Sequence, residues 1–386
     1  MKEYDKNSLI GFVLMAIILI VFNTFFFPEV TKEEEVFETV NSEITVAETS
    51  NVKTKTTLSQ SSLINENLIS DELKANYGIF ANTAIGKETF HIIENDKLKV
   101  TVSNKGGRII SVILKEYQTY DSLDLDLFDS DSSKFSLQFT TGKTINTTNL
   151  FFSADQRRNS LSMKLKADDD RYIEYRYTIN DKYLVDFDIN LVGMDQLIDK
   201  NTDALSLRWQ MKTPQTEKSK VNQNTYTGIH YQLNANNEVD YLSFSSTDDE
   251  EIINKLNWVA FKQQFFSAIF IAKNGFENLT KLESKENPNI ENKSSLFIKD
   301  LSAAFELPYK SKNEERLNFQ FYFGPNHYKT LEEYKSGFEE LIPLGWGIFG
   351  WVNQYIIINI FDFLNKYFSS YGIIILLLTL IIKIGL

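Results

Sequence analysis

The chain has 386 residues, of which 42% are hydrophobic and 13% aromatic, enough apolar surface for a packed core and too much for global disorder. Its formal charge of −12 and the lack of any basic stripe exclude a surface built to neutralise phosphates, so no nucleic acid is expected as a direct partner. Without cysteine there can be no disulfide, thiol nucleophile or thiolate metal site, and cysteine usage says nothing about compartment.

The N-terminal element, residues 1–28, is read as a transmembrane anchor. Ser8 to Phe27 is an uncharged run of about twenty residues, long enough as a helix to cross a ~30 Å hydrocarbon core. A cleaved signal peptide is the alternative, since Lys2 and Lys6 precede the run. Against it, the run exceeds a usual signal core and closes on Phe25, Phe26, Phe27 and Pro28, with no small-residue cleavage pattern. The same two lysines place the N-terminus on the cytoplasmic side and everything after Pro28 outside.

Residues 29–87 are rich in Thr, Ser, Asn and Glu and show no sustained period, the composition of a flexible acidic tether. From His91 the period becomes two. Ile173, Tyr175, Tyr177 and Ile179 alternate with polar residues, as do Tyr183 to Leu191, Leu205 to Met211, and Leu317 to Phe323. Lys97–Ser103 and Arg108–Leu114 flank Asn104-Lys105-Gly106-Gly107 and predict a hairpin. Thirty Phe and 18 Tyr against six Pro favour the same state. Strands without intervening helices predict an antiparallel sandwich over residues 88–326.

Tyr328, Leu331, Tyr334, Phe338 and Leu341 recur at helical spacing, predicting a helix docked on the sandwich within a linker, residues 327–345. Residues 346–370 are apolar yet carry Asn353, Gln354, Asn359, Asp362, Asn365 and Lys366. A helix lying in the membrane interface suits them better than a span, in which Asp362 would cost ~2.5–3.5 kcal/mol. Trp346, Trp351 and Tyr367 fit an interfacial aromatic belt. Residues 371–386 begin a second transmembrane helix, too short for a complete span, and the natural protein is expected to continue.

No residue pattern supports bond-making chemistry. His91, His230 and His327 have no metal-ligand spacing, and neither a phosphate-cradling glycine loop nor a G-x-S-x-G nucleophile elbow is present, so no cofactor or metal is expected. The acidic runs Asp168–Asp170 and Asp248–Glu251 read as solvated loops. Lys383 stands apart: about twelve residues after Tyr371, it lies ~18 Å along a helix, past the middle of the bilayer. It is either a lysine snorkelling to the inner headgroups or an intramembrane charge facing a wet cavity.

The start DKNSLIGFVLM, the segments DKLKVTVSNKGGRIISVILKEYQTYD, WVAFKQQFFSAIF and FYFGPNHYKTLEEY, and the final GWGIFGWVNQYIIINIFDFLNKYFSSYGIIILLLTLIIK together resemble the YidC/Oxa/Alb family of membrane-protein insertases, in its long Gram-negative, Bacteroidetes-like form. The resemblance covers essentially the whole chain in order. It implies a mainly β, antiparallel β-supersandwich of galactose-mutarotase-like shape in the periplasm, flanked by an N-terminal transmembrane helix and by C-terminal linker, interfacial and transmembrane helices. It implies a non-enzymatic insertase and chaperone of the bacterial inner membrane, with residues 29–370 periplasmic or at the outer interface. The implied partners are nascent membrane proteins, the lipid bilayer, the Sec translocon, and the ribosome through segments after Leu386. Lys383 matches the family's positive residue in a hydrophilic substrate groove, where Arg is usual; Lys keeps the charge and lacks the guanidinium fork. Two rivals stand beside this, a membrane-tethered sugar-binding protein and a periplasmic adaptor.

Overall fold

The computed structural model describes residues 71–385 apart from 129–131, 278, 293, 294 and 296. The expected anchor and residues 29–70 of the expected tether lie outside the described residues. The rest of that tether stretch is folded. Helix α1 (Asp71–Tyr77) leads into a 3₁₀ turn at Gly78–Ala84, whose Phe80 is fully buried with its ring edge-on to Phe139 at 5.6 Å. Phe80 and Ala81, with Tyr77 and Ala84 packed beside them, anchor this segment to the core.

Nineteen strands follow among the described residues. The first four, β1 (Phe90–Glu94), β2 (Leu98–Ser103), β3 (Ile109–Gln118) and β4 (Asp124–Asp126), form a small sheet in that order. Next come β5 (Ser133–Thr140), β6 (Thr144–Asn146), β7 (Ser153–Arg157), β8 (Ser160–Lys166), β9 (Tyr172–Ile179), β10 (Leu184–Val192) and β11 (Ala204–Lys212). After the short helix α2 (Lys220–Thr225) come β12 (Gly228–Leu233), β13 (Val239–Tyr241), β14 (Asp248–Ile252), β15 (Leu256–Lys262) and β16 (Phe266–Phe276). The last are β17 (Thr280–Glu286), β18 (Lys299–Pro308) and β19 (Glu314–Pro325). They form a nine-stranded sheet, β13-β12-β15-β16-β19-β10-β9-β8-β7, and a six-stranded sheet, β14-β17-β18-β11-β5-β6. Neighbouring strands pair antiparallel, as in Phe187 opposite Phe319 and Trp209 opposite Phe135.

Alternation decides which sheet faces meet. The inward aromatic residues of the large sheet touch those of the six-stranded sheet: Trp209 stacks on Phe261 at 3.8 Å, Phe276 on Phe305 at 4.3 Å, and Phe135 meets Phe187 edge-on at 5.4 Å. Their outward neighbours form a polar ladder, in which Asp188 accepts from Arg316 and Asn318, and Asp186 from Lys273, Gln320 and Asn180. Burial pushes the Asp186 carboxyl up, but these hydrogen bonds outweigh it and hold it below its usual range.

The predicted hairpin is β2–β3, its turn closed by Gly106 and Gly107 at positive φ. The Tyr177 hydroxyl donates to the Gly107 carbonyl at 2.7 Å, which ties the small sheet over one end of the sandwich. One expectation fails: Asp248–Glu251 is no loop but most of edge strand β14, paired with β17. Its carboxylates stay in water while Glu251 meets Lys281 at 2.5 Å, and a charged edge discourages pairing with another chain. Asp168–Asp170 is a turn, with Asp168 bound by Arg171.

Candidate functional site

Strand β19 delivers the chain to the linker. His327 caps helix α3 (Tyr328–Glu332), its side chain accepting from the Thr330 N–H. The single helix predicted through Leu341 is instead broken. Lys335 and Gly337 take left-handed conformations, and a 3₁₀ turn at Phe338–Leu341 follows. The apolar positions still reach the core, because Trp258 donates to the Ser336 carbonyl at 2.9 Å and packs edge-on to Phe338 at 5.6 Å. Tyr334 and Phe338 dock on the Tyr322 ring at 5.3 and 5.8 Å, so the broken linker still packs on the sandwich.

Helix α4 (Gly347–Asn365) is, among the described residues, the one helix long and apolar enough to cross a membrane by length and composition. Three of its polar residues, Asn353, Gln354 and Asp362, face the linker. Asn353 donates to the Leu344 carbonyl at 2.8 Å, and Gln354 to the Tyr328 hydroxyl at 2.8 Å. Burial raises the Tyr328 phenol above its ordinary pKa, and the Gln354 bond offsets part of that. The His327 Nε2 lies 3.9 Å from a carboxylate oxygen of Asp362, an ion pair when the imidazole is protonated. A π turn at Asn353–Ile357 interrupts the α-helical hydrogen bonding where the two amides leave the helix. The apolar residues face outward: Trp346, Ile348, Phe349, Trp351, Tyr355 and Phe363 are all exposed. Such an inverted pattern suits a helix whose surroundings are not water alone.

After a break at Tyr367–Ser370, helix α5 (Tyr371–Gly385) begins with Tyr371 stacked on Phe361 at 6.1 Å. Lys383 sits near its far end, exposed, with no ionic partner among the described residues. Of the polar residues read from the sequence on α4, Asp362 approaches the domain through His327, whereas the Asn359 amide bonds its own helix at the Tyr355 carbonyl. The roles of Asn353, Gln354, Tyr328 and His327 as a clamp were missed; two adjacent amides in an apolar run were the signal. The other histidines lie elsewhere. His91 is on β1 beside Thr89, and His230 is buried among Tyr241 and Phe244. No cluster of three or more His, Asp or Glu side chains that could hold a metal occurs among the described residues.

A large antiparallel β sandwich joined by a pinned linker to an outward-facing apolar helix and a second apolar helix defines a β-domain protein with an apolar helical C-terminal region. The family model for the YidC periplasmic domain matches residues 92–358, and the chain belongs to that family. It is 35% identical to the membrane protein insertase YidC of Parabacteroides distasonis, over 98% of this chain and 62% of that protein. Identity to the insertase of Bacteroides fragilis is 33%, over 98% and 61%. The chain thus spans about three fifths of the length of these relatives. Among solved structures, the periplasmic domain of Thermotoga maritima YidC matches with a TM-score of 0.32 at 8% identity, covering 66% of this chain and 92% of that one. A galactose-mutarotase and aldose-epimerase homologue from C. elegans matches with a TM-score of 0.40 at 10% identity, covering 61% and 99%.

Proposed function

We propose that this chain is the periplasmic and first membrane-entering part of an insertase that places integral proteins in the bacterial inner membrane. The observation that carries this reading is the combination of α4, apolar side outward and polar side clamped to the linker, with Lys383 about 18 Å along the helix that follows. Here α4 lies in the outer interface, α5 enters the bilayer, and residues 1–28 anchor the chain with the N-terminus cytoplasmic. Residues 88–326 stand in the periplasm, and residues 327–345 join them to the membrane.

In this reading Lys383 lines a hydrophilic groove. A charged, wet groove shortens the apolar distance that a substrate's polar tail must cross and attracts acidic tails; substrate helices then leave sideways, driven by apolar burial. No bond is made or broken. Nascent membrane proteins are the substrates, and the Sec translocon and ribosome are partners of the complete protein.

The test is insertion of single-span substrates into proteoliposomes holding the complete insertase, read by protease protection. Lys383→Ala keeps expression and integration and weakens insertion of substrates with acidic translocated tails. Lys383→Arg retains most activity, and Lys383→Glu is the worst, through like-charge repulsion. Wild-type rates for both the Ala and Glu variants across several substrates would refute the groove role and leave Lys383 a snorkelling lysine.

A further inference from the structure

At the end of the sandwich from which the linker leaves, buried side-chain amides lie beneath exposed large apolar residues. Strand β19 runs toward that end and finishes at Pro325, opposite Phe266 at the start of β16, so the β15–β16 turn lies beside the root of the linker. The Asn326 N–H donates to the Phe265 carbonyl at 2.7 Å. At this same end Tyr117 of β3 packs edge-on to Phe266 at 5.2 Å, which brings the β3–β4 turn alongside. Two residues beyond Asn326, the Tyr328 hydroxyl holds the Gln354 amide of α4, so the β15–β16 tip adjoins the point where α4 is held.

Beside the buried Phe266 and Leu127, two side-chain amides are buried here. Gln223 of α2 is fully buried; its side-chain oxygen accepts from the Thr216 and Glu217 N–H groups, and its amide donates to the Pro214 carbonyl and to Gln263. Gln263, also fully buried, donates to the Leu127 carbonyl, and the Tyr120 N–H donates to the Thr216 carbonyl at 3.0 Å. Three loops are thereby locked into one rigid platform by side-chain amides. Among polar neighbours such as Asp121, Asp124, Lys218 and Asn222, it also exposes large apolar side chains: Phe265 at 51%, Leu123 at 63%, and with them Tyr120, Val221 and Tyr226. A soluble surface would place these residue types the other way round, and a network that holds bulky apolar side chains in water gains nothing from water.

We propose that this platform is a second lipid contact, with Phe265 and Leu123 entering the outer headgroup region of the bilayer on which α4 lies. The inference rests on the interfacial placement of α4. Continuity with that helix selects lipid as the occupant, because a surface adjoining a helix that lies in the interface faces the same interface. Tyr120 and Tyr226 suit that depth, each with an apolar ring and a polar tip. Asp121 and Asp124 flank Leu123, so the contact draws on apolar burial and not on attraction to anionic lipid, and high salt leaves it in place. The β domain would then stand on the membrane at two footings, unable to swing about its linker.

The absence of cysteine allows a direct test, since each introduced cysteine is the sole labelling site. Phe265→Cys, Leu123→Cys, Phe349→Cys on α4 and Ile253→Cys are made separately in the whole chain. Ile253 is 80% exposed in the turn before β15, at the opposite end of the sandwich. Each variant, checked for wild-type circular dichroism, carries an environment-sensitive fluorophore. It is reconstituted in vesicles of phosphatidylethanolamine and phosphatidylglycerol, with or without a headgroup spin-labelled lipid. Labels at 265 and 123 are expected to emit to the blue of the label at 253 and to be quenched by the spin label, in low and high salt alike. Behaviour like that at 253, at either site, overturns the proposal. The label at 349 reports separately on α4: if it is quenched while the tips are silent, the helix placement stands and the second contact falls. If it is silent while the tips are quenched, the second contact stands and the helix placement falls. Silence at all three overturns both.

Discussion

The buried imidazole of His230 should make the β domain acid-sensitive well above the pH at which its carboxylates titrate. His230 packs against the stacked Tyr241 and Phe244 rings, its Nδ1 without a partner. Burial, with a smaller contribution from the buried Lys262 ammonium, pushes its pKa down to about 3 from the ordinary 6.5. A depressed pKa means that the unfolded chain takes up the proton first. The stability is therefore full above pH 6.5 and is lost as pH falls toward 3. Between pH 7.5 and 5 the unfolded state gains about 2 kcal/mol relative to the folded one, from a pKa of 6.5 against about 3. Lys262, whose own pKa burial lowers to about 8, is protonated in both states below neutrality and adds little slope in this window. Glu340, raised by burial, acts in the opposite direction, and subtracting a His230 variant removes its effect. His230→Phe keeps an aromatic ring in an aromatic pocket and removes the titration. Urea unfolding followed by β-sheet circular dichroism at pH 7.5 and 5 measures both proteins. Wild type should lose about 2 kcal/mol more than the variant over this interval. Parallel losses in the two proteins would refute the assignment of the acid sensitivity to His230.

Phe80→Ala should destabilise the β domain by about 3–5 kcal/mol, as expected when a fully buried ring leaves a cavity, and thermal unfolding would register it; an unchanged midpoint would show that the 71–84 segment is not part of the fold. A fragment starting at residue 88 should accordingly be less stable than one starting at Asp71, by urea midpoint. Gly337→Ala should cost about 1–3 kcal/mol, because φ is +72° and the new Cβ would lie 2.4 Å from the Gln232 amide nitrogen. Tyr328→Phe removes the acceptor of the Gln354 amide, and hydrogen exchange at the start of α4 should speed up while the sandwich strands keep their protection.

The sandwich was legible because its central strands have one wet and one dry face. Tyr175, Phe187, Trp209 and Phe321 each sit in an alternating run and all reach one core. Strands lacking that contrast were not legible. In β7, Ser153–Arg157, every residue is exposed, and β14 looks like a charged loop until its register with β17 is known. The linker misled for another reason: apolar residues at helical spacing dock equally well from a short helix and a 3₁₀ turn separated by left-handed residues. Phe80 sits in too short an apolar cluster to show a sustained period. At the membrane end, sequence spacing supplied the depth of Lys383 along its helix. It could not show that Asn353 and Gln354 face the linker, since their partners are the Leu344 carbonyl and the Tyr328 hydroxyl.

The π turn in α4 has the geometry of a one-residue insertion. Each residue of an α-helix advances the side-chain direction by about 100°, so deleting one residue between Asn353 and Ile357 would rotate everything after it by that angle relative to the clamp. Asp362 would swing away from His327, and Phe363 and Tyr367 would leave the outward side. The extra residue thus acts as a phase shifter, letting one helix keep its amides toward the protein at one end and its aromatic rings outward at the other. A length change here would alter the orientation of all that follows while leaving composition and helix content almost untouched.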